Sequence, residues 1–458
     1  ARNNGTTYFN GGIDEVRISN VVRTQAEIQA DMHRWGIGNE TGVVAYYDFN
    51  DISGTTLSDR VGSNTMSLVG TPTIARIESS TQVGTDTVVT FPRSYLTSQG
   101  GWKVPAGVTK MESLVVGGGG AGGSRAGGGG GAGGYVATAL NTITFTPGSV
   151  ETITVGQGGV GQHDTRGSNG QDSALGTRRI AVGGGSGGSA NGGTSNTLRN
   201  GANGGSGGGS ATLGSAGLVA GTAIQNSSQG YGLGNNGALA LGANYFPGGG
   251  GGGSSSAATS ATSSSATTWS DGGNGTSNSI TGSALCYATG GGGGYGNATV
   301  GAGNAMVKSN GGNCGGTANP NNGRGTYGKL AAQWGAANTG AGGGGSGYDD
   351  SITNTSDKPG GSGGSGVVIV RYLSTLTATF AGVTTATYRQ ASSMSVTTTL
   401  PSRVTFNANG KRIAGCVSVL TDNSLVATCN WKPAIRGTIT VTATITPLLP
   451  GVAVQTQS

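Results

Sequence analysis

A glycine tract restricts the possible folds of this chain more than any other feature of the sequence. The stretch LVVGGGGAGGSRAGGGGGAGG runs from Leu114 to Gly134, and glycine supplies 97 of the 458 residues. Glycine loses the most backbone entropy on folding and buries no side chain, so the runs alone predict a flexible linker. The ordered alternative requires glycine segments that pack side by side and hydrogen-bond to one another.

The segments on either side of the tract favour the ordered alternative. The apolar run LVV precedes the first glycines, and the β-prone run VVIVRYL (Val367–Leu373) follows the last. A linker needs neither strand. The glycine runs between them suit extended polyglycine-II-like segments with three residues per turn. We therefore predict a glycine-rich β domain over residues 85–372.

The ends of this region resemble a known family. WKVPAGV (Trp102–Val108) and LVVGGGG open the region, and GGSGVVIVRY closes it. This outline resembles the bacterial and phage glycine-rich domain. The resemblance implies a lattice of packed polyglycine helices, as in some phage adhesins. Inside the region, TITFTPGSVETITV predicts a β-hairpin with Pro147-Gly148 in its turn.

Residues 1–74 have an ordinary composition. The stretch YFNGGIDEVRISNVVRTQAEIQ resembles the end of a laminin-G-like, concanavalin-A-like jelly-roll domain, whereas GVVAYYDFNDISGTTLSDRVG resembles the start of one. Along the chain, the end of one such domain therefore precedes the start of another. The pieces are cut from an array of such domains, complete one sandwich together, or complete one with a neighbouring subunit.

Two residues in these pieces are candidate ligand contacts. The resemblance implies that Asp14 lies where a carboxylate supports calcium or bonds nearby backbone amides. Apart from calcium at this position, we predict no cofactor. The alternation of Val43, Ala45 and Tyr47 on one face of a strand leaves Tyr46 as the exposed aromatic residue that could stack on a sugar.

Residues 373–458 are rich in threonine and valine. Asn409-Gly410 between two β-prone runs predicts a two-residue hairpin. The region resembles an immunoglobulin-like β-sandwich of the kind repeated in bacterial surface proteins. The predicted fold class is therefore all-β and multidomain: jelly-roll pieces, a glycine-rich domain and a C-terminal sandwich.

The four cysteines predict disulfides rather than a metal site. None lies in a CxxC pair, and the chain has only two histidines. Pairing of sequence neighbours gives Cys286–Cys314 and Cys416–Cys429. Each bond would contribute about 3 kcal/mol by restricting the unfolded chain. The four residues favour an oxidising, extracellular location.

Charge and hydropathy exclude several functions. The net charge is +6, but the basic residues are scattered, so we predict no nucleic-acid partner. The sequence contains no run of 18 or more apolar residues, so we predict no transmembrane helix. The chain starts at Ala1 without a signal peptide, which predicts a processed or partial product of a longer precursor.

The matches to catalytic motifs in this sequence do not indicate an active site. His163 and Asp164 adjoin in GQHDTRG, which predicts a surface loop rather than a catalytic dyad. Matches to GxSxG or GxGxxG arise by chance in a chain so rich in glycine and serine. We predict that the chain is not an enzyme.

The sequence thus predicts a secreted or cell-surface structural protein. More specifically, we predict a filament subunit. Copies of the chain would form a homopolymer, joined head to tail by β-strand complementation. The alternative is a cell-surface or phage-tail adhesin that binds glycans.

Overall fold

The structure is a computed structural model of the chain. The structure describes residues 2–3, 7–8, 16–25, 28, 42–47, 56–59, 61, 64–67, 79–84, 86–94, 101–105, 108–140, 142–190, 196–211, 217–226, 230–241, 247–260, 270–295, 309–314, 323–325, 332–347, 358–373, 376–382, 385–448 and 455–457.

The N-terminal region forms two-stranded antiparallel sheets. The strands are β1 (Arg2–Asn3), β2 (Thr7–Tyr8), β3 (Val16–Ser19), β4 (Val43–Tyr47), β5 (Thr56–Ser58) and β6 (Thr65–Ser67), and they pair β1–β2, β3–β4 and β5–β6. The β3–β4 pair joins one strand from each of the two stretches that resemble laminin-G-like pieces in sequence. Val43, Ala45 and Tyr47 are buried, as their alternation predicts.

The glycine-rich region combines short strands with glycine segments. Its elements are β7 (Ser79–Val83), β8 (Asp86–Phe91), β9 (Trp102–Lys103), β10 (Glu112–Val116), β11 (Tyr135–Thr138), β12 (Val150–Glu151), β13 (Ile153–Thr154), β14 (Ser173–Leu175), β15 (Arg179–Ala181), helix α1 (Asn196–Arg199), β16 (Thr276–Asn278), β17 (Leu285–Tyr287) and β18 (Val367–Leu373). Because β7 joins the same sheet as β18, this sheet begins before the predicted boundary at residue 85.

A five-stranded antiparallel sheet anchors both ends of the glycine tract. Its order is β11-β10-β18-β8-β7. The register places Val116, the last residue before the first glycines, opposite Val367, the first residue after the last. The tract therefore leaves this sheet and returns to it at adjacent positions.

Apolar clusters cover both faces of this sheet. Val115 and Val368 face one cluster, whereas Leu114 and Ile369 face the other. A strand buried on both faces reads as a continuous apolar run rather than an alternating one. This explains LVV and VVIV. Trp102 of the WKVPAGV motif packs edge-on against Phe91 in the first cluster, with ring centroids 5.5 Å apart.

The prediction of a hairpin at Pro147-Gly148 is wrong, although the turn itself is present. The Ser149 N–H donates to the Thr146 carbonyl, and Gly148 has φ +78°, as a type II turn requires. The two arms do not pair with each other. β12 pairs with β9, β13 with β14, and Thr144 bridges to Lys110.

The C-terminal region is a sandwich of two antiparallel sheets. Its strands are β19 (Ala378–Ala381), β20 (Ser392–Thr398), β21 (Ser402–Ala408), β22 (Lys411–Arg412), β23 (Val419–Leu420), β24 (Val426–Trp431), β25 (Val441–Pro447) and β26 (Gln455–Gln457). One sheet has the order β19-β20-β24 and the other β22-β21-β25-β26, with β23 beside β21. One buried cluster that includes Met394 and Phe406 fills the space between them.

The hairpin predicted at Asn409-Gly410 is confirmed. Ala408 pairs with Lys411, and the two turn residues have φ values of +45° and +76°. This is the type I′ geometry that the Asn-Gly dipeptide favours. The structure is all-β and multidomain, as predicted. In the part of the chain that the structure describes, no helix is long and apolar enough to cross a membrane.

Candidate functional site: a lattice of glycine helices

The first glycine segment (residues 117–123) hydrogen-bonds in three directions with a period of three residues. Every third N–H donates to the second glycine segment (residues 127–134): Gly117 to Gly134, Gly120 to Gly131 and Gly123 to Gly128, at 3.0, 2.8 and 2.8 Å. The N–H groups between them donate to residues 168–171 and 361–364, again with a period of three residues. Three residues per turn is the geometry of a polyglycine-II helix.

The second glycine segment lies inside the lattice. Each of its N–H groups donates to a backbone carbonyl of another segment, and its own carbonyls accept from further segments. In the described part of the chain these neighbours are residues 117–123, 182–188, 206–209, 249–252, 291–294 and 340–346. Surrounding segments thus supply the hydrogen-bond partners for the backbone of a helix that has no internal hydrogen bonds.

Close backbone packing explains why glycine is the building material. A Cβ atom added at Gly130 would contact the Gly120 carbonyl, and one added at Gly120 would contact the Gly185 carbonyl. Alanine fits only where a neighbour leaves room. The buried Ala121 faces Gly167, where a second Cβ would come within 2.6 Å of the Ala121 methyl.

Side chains replace backbone acceptors at the edges of the lattice. Asparagine and aspartate residues three positions apart accept from N–H groups three positions apart. The pairs are Gly183 with Asp172, Ser186 with Asn169, Val219 with Asn200, Thr222 with Asn203, Asn310 with Asp271 and Asn313 with Asn274, at 2.6 to 3.1 Å. These residues belong to none of the sequence motifs that predict strands, turns or disulfides. The Asx-x-x-Asx spacing is the signal that identifies them.

Buried tyrosines lie where the lattice meets the sheet. Asn278 Nδ2 donates to the hydroxyl of Tyr135 at 2.8 Å. Burial raises the pKa of Tyr287 to about 12, and the nearby Tyr135 adds to the rise. Burial also raises the pKa of Tyr135, although the Asn278 hydrogen bond opposes that shift. Both hydroxyls therefore stay neutral well into the alkaline range.

His163 and Asp164 form a surface pair near the turn between the two glycine segments. His163 Nδ1 lies 2.8 Å from Asp164 Oδ2, and Arg125 Nη1 lies 3.9 Å from Asp164 Oδ1. The His163 and Asp164 side chains are 43% and 37% exposed. The position matches the predicted surface loop, and both side chains are exposed to solvent.

The other candidate residues have different outcomes. Tyr46 is 3% exposed, so the prediction that it is the exposed aromatic residue is wrong. The Arg17 guanidinium lies over its ring, 5.4 Å from the centroid, and Tyr47 is buried as well. Alternation holds at Val44, which lies on the same face of β4 and is 40% exposed, and it fails only at Tyr46. Asp14 lies outside the described residues, and no group able to hold a metal ion occurs among the residues that are described.

The disulfides follow the predicted pairing. The bonds are Cys286–Cys314 and Cys416–Cys429. The first ties β17 to an outer segment of the lattice at residues 309–314, and the second lies in the C-terminal core. Both fit an oxidising, extracellular environment.

Comparison with known proteins supports the central domain. No curated protein is similar to this chain. The glycine-rich domain family matches residues 96–373, which is more than half of the sequence. The match begins before the WKVPAGV motif and ends with the last residue of β18. The chain therefore belongs to the glycine-rich domain family.

Proposed function

We propose that the chain is a non-enzymatic structural protein of an extracellular fibre or filament. The glycine lattice is the observation that carries this proposal. Its segments are held by hydrogen bonds to several neighbours, so bending one helix breaks bonds in several directions. A body of this kind is stiff and contains few charged groups on which catalysis could depend. The two disulfides support a location outside the cytoplasm.

The N-terminal sheets supply the joint between subunits. Residues 1–74 are pieces of a laminin-G-like jelly roll, and residues 373–458 are an immunoglobulin-like sandwich. Among the described residues the sheet formed by β3 and β4 has two strands, and two-stranded sheets are marginally stable alone. Val22 is 98% exposed and Ile18 48% exposed beside it. A second copy of the chain covers these residues, and subunits so joined grow head to tail into a filament.

Electron microscopy of the native protein without reductant tests this proposal. We expect filaments with a regular axial repeat. Val22→Asp places a charge in the joint and should leave single particles. Val219→Asp, at an exposed position of the lattice edge, is the matched control and should leave the filaments intact. Single particles at every concentration of the unmodified protein would exclude the filament.

A glycan-binding adhesin at the cell surface or phage tail is the second candidate. It is favoured by the charge of the C-terminal sandwich, because residues 373–458 carry six basic residues and one acidic residue. Such a surface attracts anionic ligands from solution.

A further inference from the structure

The C-terminal sandwich carries almost all of the net charge of the chain. Its basic residues are Arg389, Arg403, Lys411, Arg412, Lys432 and Arg436, and Asp422 is its single acidic residue. The resulting charge of +5 compares with +6 for the whole chain. The basic residues look scattered in the sequence, so only their positions in the fold show whether they act together.

Two strand pairings bring most of these residues to one end of the sandwich, named here the basic end. Ser392 at the start of β20 pairs with Trp431 at the end of β24, and Ala408 at the end of β21 pairs with Val441 at the start of β25. The loops beyond these pairs and the adjacent strand β22 carry five exposed residues, namely Arg389, Lys411, Arg412, Lys432 and Arg436.

Contacts between the loops hold the basic end together. The Arg389 N–H donates to the Pro433 carbonyl at 2.9 Å. The Asn409 N–H donates to the Thr440 carbonyl, and the Thr440 N–H donates back to Asn409 Oδ1. The Cys416–Cys429 disulfide links the loop after β22 to β24 in the other sheet. The basic loops are therefore ordered relative to one another.

An aromatic ring positions two of the charges. The Arg389 and Arg436 guanidinium carbons lie over the Tyr388 ring, 5.2 and 4.8 Å from its centroid. Stacking of this kind reduces the side-chain entropy that each arginine would lose on binding a ligand.

The single acidic residue lies at the opposite end of the sandwich. Asp422 Oδ1 accepts from the N–H groups of Ser424 and Val426, at the start of β24. Arg403, at the start of β21, lies at that end as well. Residues 385–448 are described without a gap and contain no other carboxylate side chain. The basic end thus has no counter-charge of its own.

We propose that the basic end binds an anionic polysaccharide, whose phosphate, sulfate or carboxylate groups pair with the five basic residues. The proposal rests on the adhesin, the second candidate function, and gives it a site and a ligand class. Single-stranded bases bind by stacking on a free aromatic face, whereas two guanidinium groups lie against the Tyr388 ring. The disulfides also indicate a compartment where polysaccharides are the common polyanions.

Binding of the full chain to heparin, a sulfated polysaccharide, tests the proposal. Dissociation constants are measured by biolayer interferometry from 50 to 300 mM NaCl, with neutral dextran as the uncharged comparison. We expect salt-dependent binding to heparin and none to dextran. Arg389→Gln/Arg436→Gln should weaken binding about tenfold and reduce the slope of log Kd against log salt by about two.

Two further variants separate recognition from folding. Lys411→Gln/Arg412→Gln alters the exposed strand β22, outside the stacked ring, and should weaken binding similarly. Arg403→Gln removes one exposed positive charge at the opposite end, and this control should leave Kd unchanged. Equal losses in all three variants, or no binding to heparin at 50 mM NaCl, would overturn the proposal.

Other polyanions complete the test. Tighter binding to a 20-base-pair DNA duplex or to phosphatidylglycerol vesicles than to heparin would also overturn it, in favour of nucleic acid or membrane. These measurements are independent of filament formation. A chain that forms filaments but ignores heparin refutes only the polysaccharide site, whereas a chain that binds heparin as single particles refutes only the filament.

Discussion

At the residue scale, the absence of a side chain is the property that stabilises the lattice. Each glycine N–H in the second glycine segment reaches a carbonyl of a neighbouring segment because no Cβ atom separates the two backbones. The entropy that glycine loses on ordering is offset by hydrogen bonds and close packing. A single methyl group can therefore disrupt several helices at once.

Gly130→Ala should destabilise the glycine-rich domain by about 3 kcal/mol or prevent its folding, because overpacking against a backbone cannot relax through a rotamer change. Its Cβ would meet the Gly120 carbonyl. Urea unfolding followed by tyrosine fluorescence measures the loss. Gly230→Ala is the control: its Cβ meets nothing within 4 Å, and only its φ of +71° costs about 1 kcal/mol. Equal losses would contradict the packing explanation.

Tyr287 should make the domain sensitive to alkali. Its folded pKa of about 12 exceeds the ordinary value of 10.0. Its contribution to stability is therefore complete below pH 10 and is lost as the pH rises through 12. Thermal unfolding between pH 8 and 12 should show a steeper fall in Tm for the unmodified protein than for Tyr287→Phe. Tyr388→Phe, in the C-terminal sandwich, should keep the steep fall, and identical slopes for all three proteins would refute the assignment.

At the element scale, side chains decide where the lattice ends. The Asx pairs supply side-chain acceptors for backbone N–H groups, as at Val219 and Thr222. They resemble helix caps in function, because a side-chain oxygen satisfies a backbone N–H that would otherwise depend on water.

Asn200→Ala/Asn203→Ala should cost about 2 kcal/mol, about 1 for each lost hydrogen bond, and should speed amide exchange at Val219 and Thr222. Hydrogen exchange measured by mass spectrometry detects the change at these sites. Asn200→Asp/Asn203→Asp keeps an acceptor oxygen at each position and should retain slow exchange. If the aspartate variant exchanges as fast as the alanine variant, the side-chain oxygen is not what protects these amides.

At the scale of the whole molecule, two kinds of stabilisation coexist in one chain. The C-terminal sandwich has an apolar core, whereas the lattice buries mainly peptide groups. Exposure of apolar area raises the heat capacity of unfolding, and exposure of polar area lowers it. The two regions should therefore unfold with different thermodynamic signatures.

Calorimetry of the full chain should show a heat-capacity increase below about 12 cal/mol/K per residue for the glycine-rich domain, which is under the ordinary range for globular proteins. The transition of the C-terminal sandwich should fall within that range. A Cys416→Ala/Cys429→Ala variant identifies it, because only that transition should move to lower temperature. An ordinary value for the glycine-rich domain would show that buried peptide groups do not dominate its unfolding.

Local signals in the sequence determined much of this protein. Asn409-Gly410 defined its hairpin, the apolar runs beside Val116 and Val367 marked the central sheet, and cysteine spacing predicted both disulfides. These features depend on neighbouring residues or on burial alone. The all-β class and the ordered glycine tract followed from them.

Only the tertiary structure decided which segments pair. Successive glycine runs are nearly identical, so the sequence holds no register between them. The carbonyls that accept from the Gly119 and Gly122 N–H groups lie more than 200 residues away along the chain. The arms beside Pro147 pair elsewhere, and Tyr46 is buried, because distant segments offered better partners than near ones. The basic end is likewise assembled from two loops and the short strand β22. Long-range packing sets these outcomes because each depends on atoms that are close in space and remote in the chain.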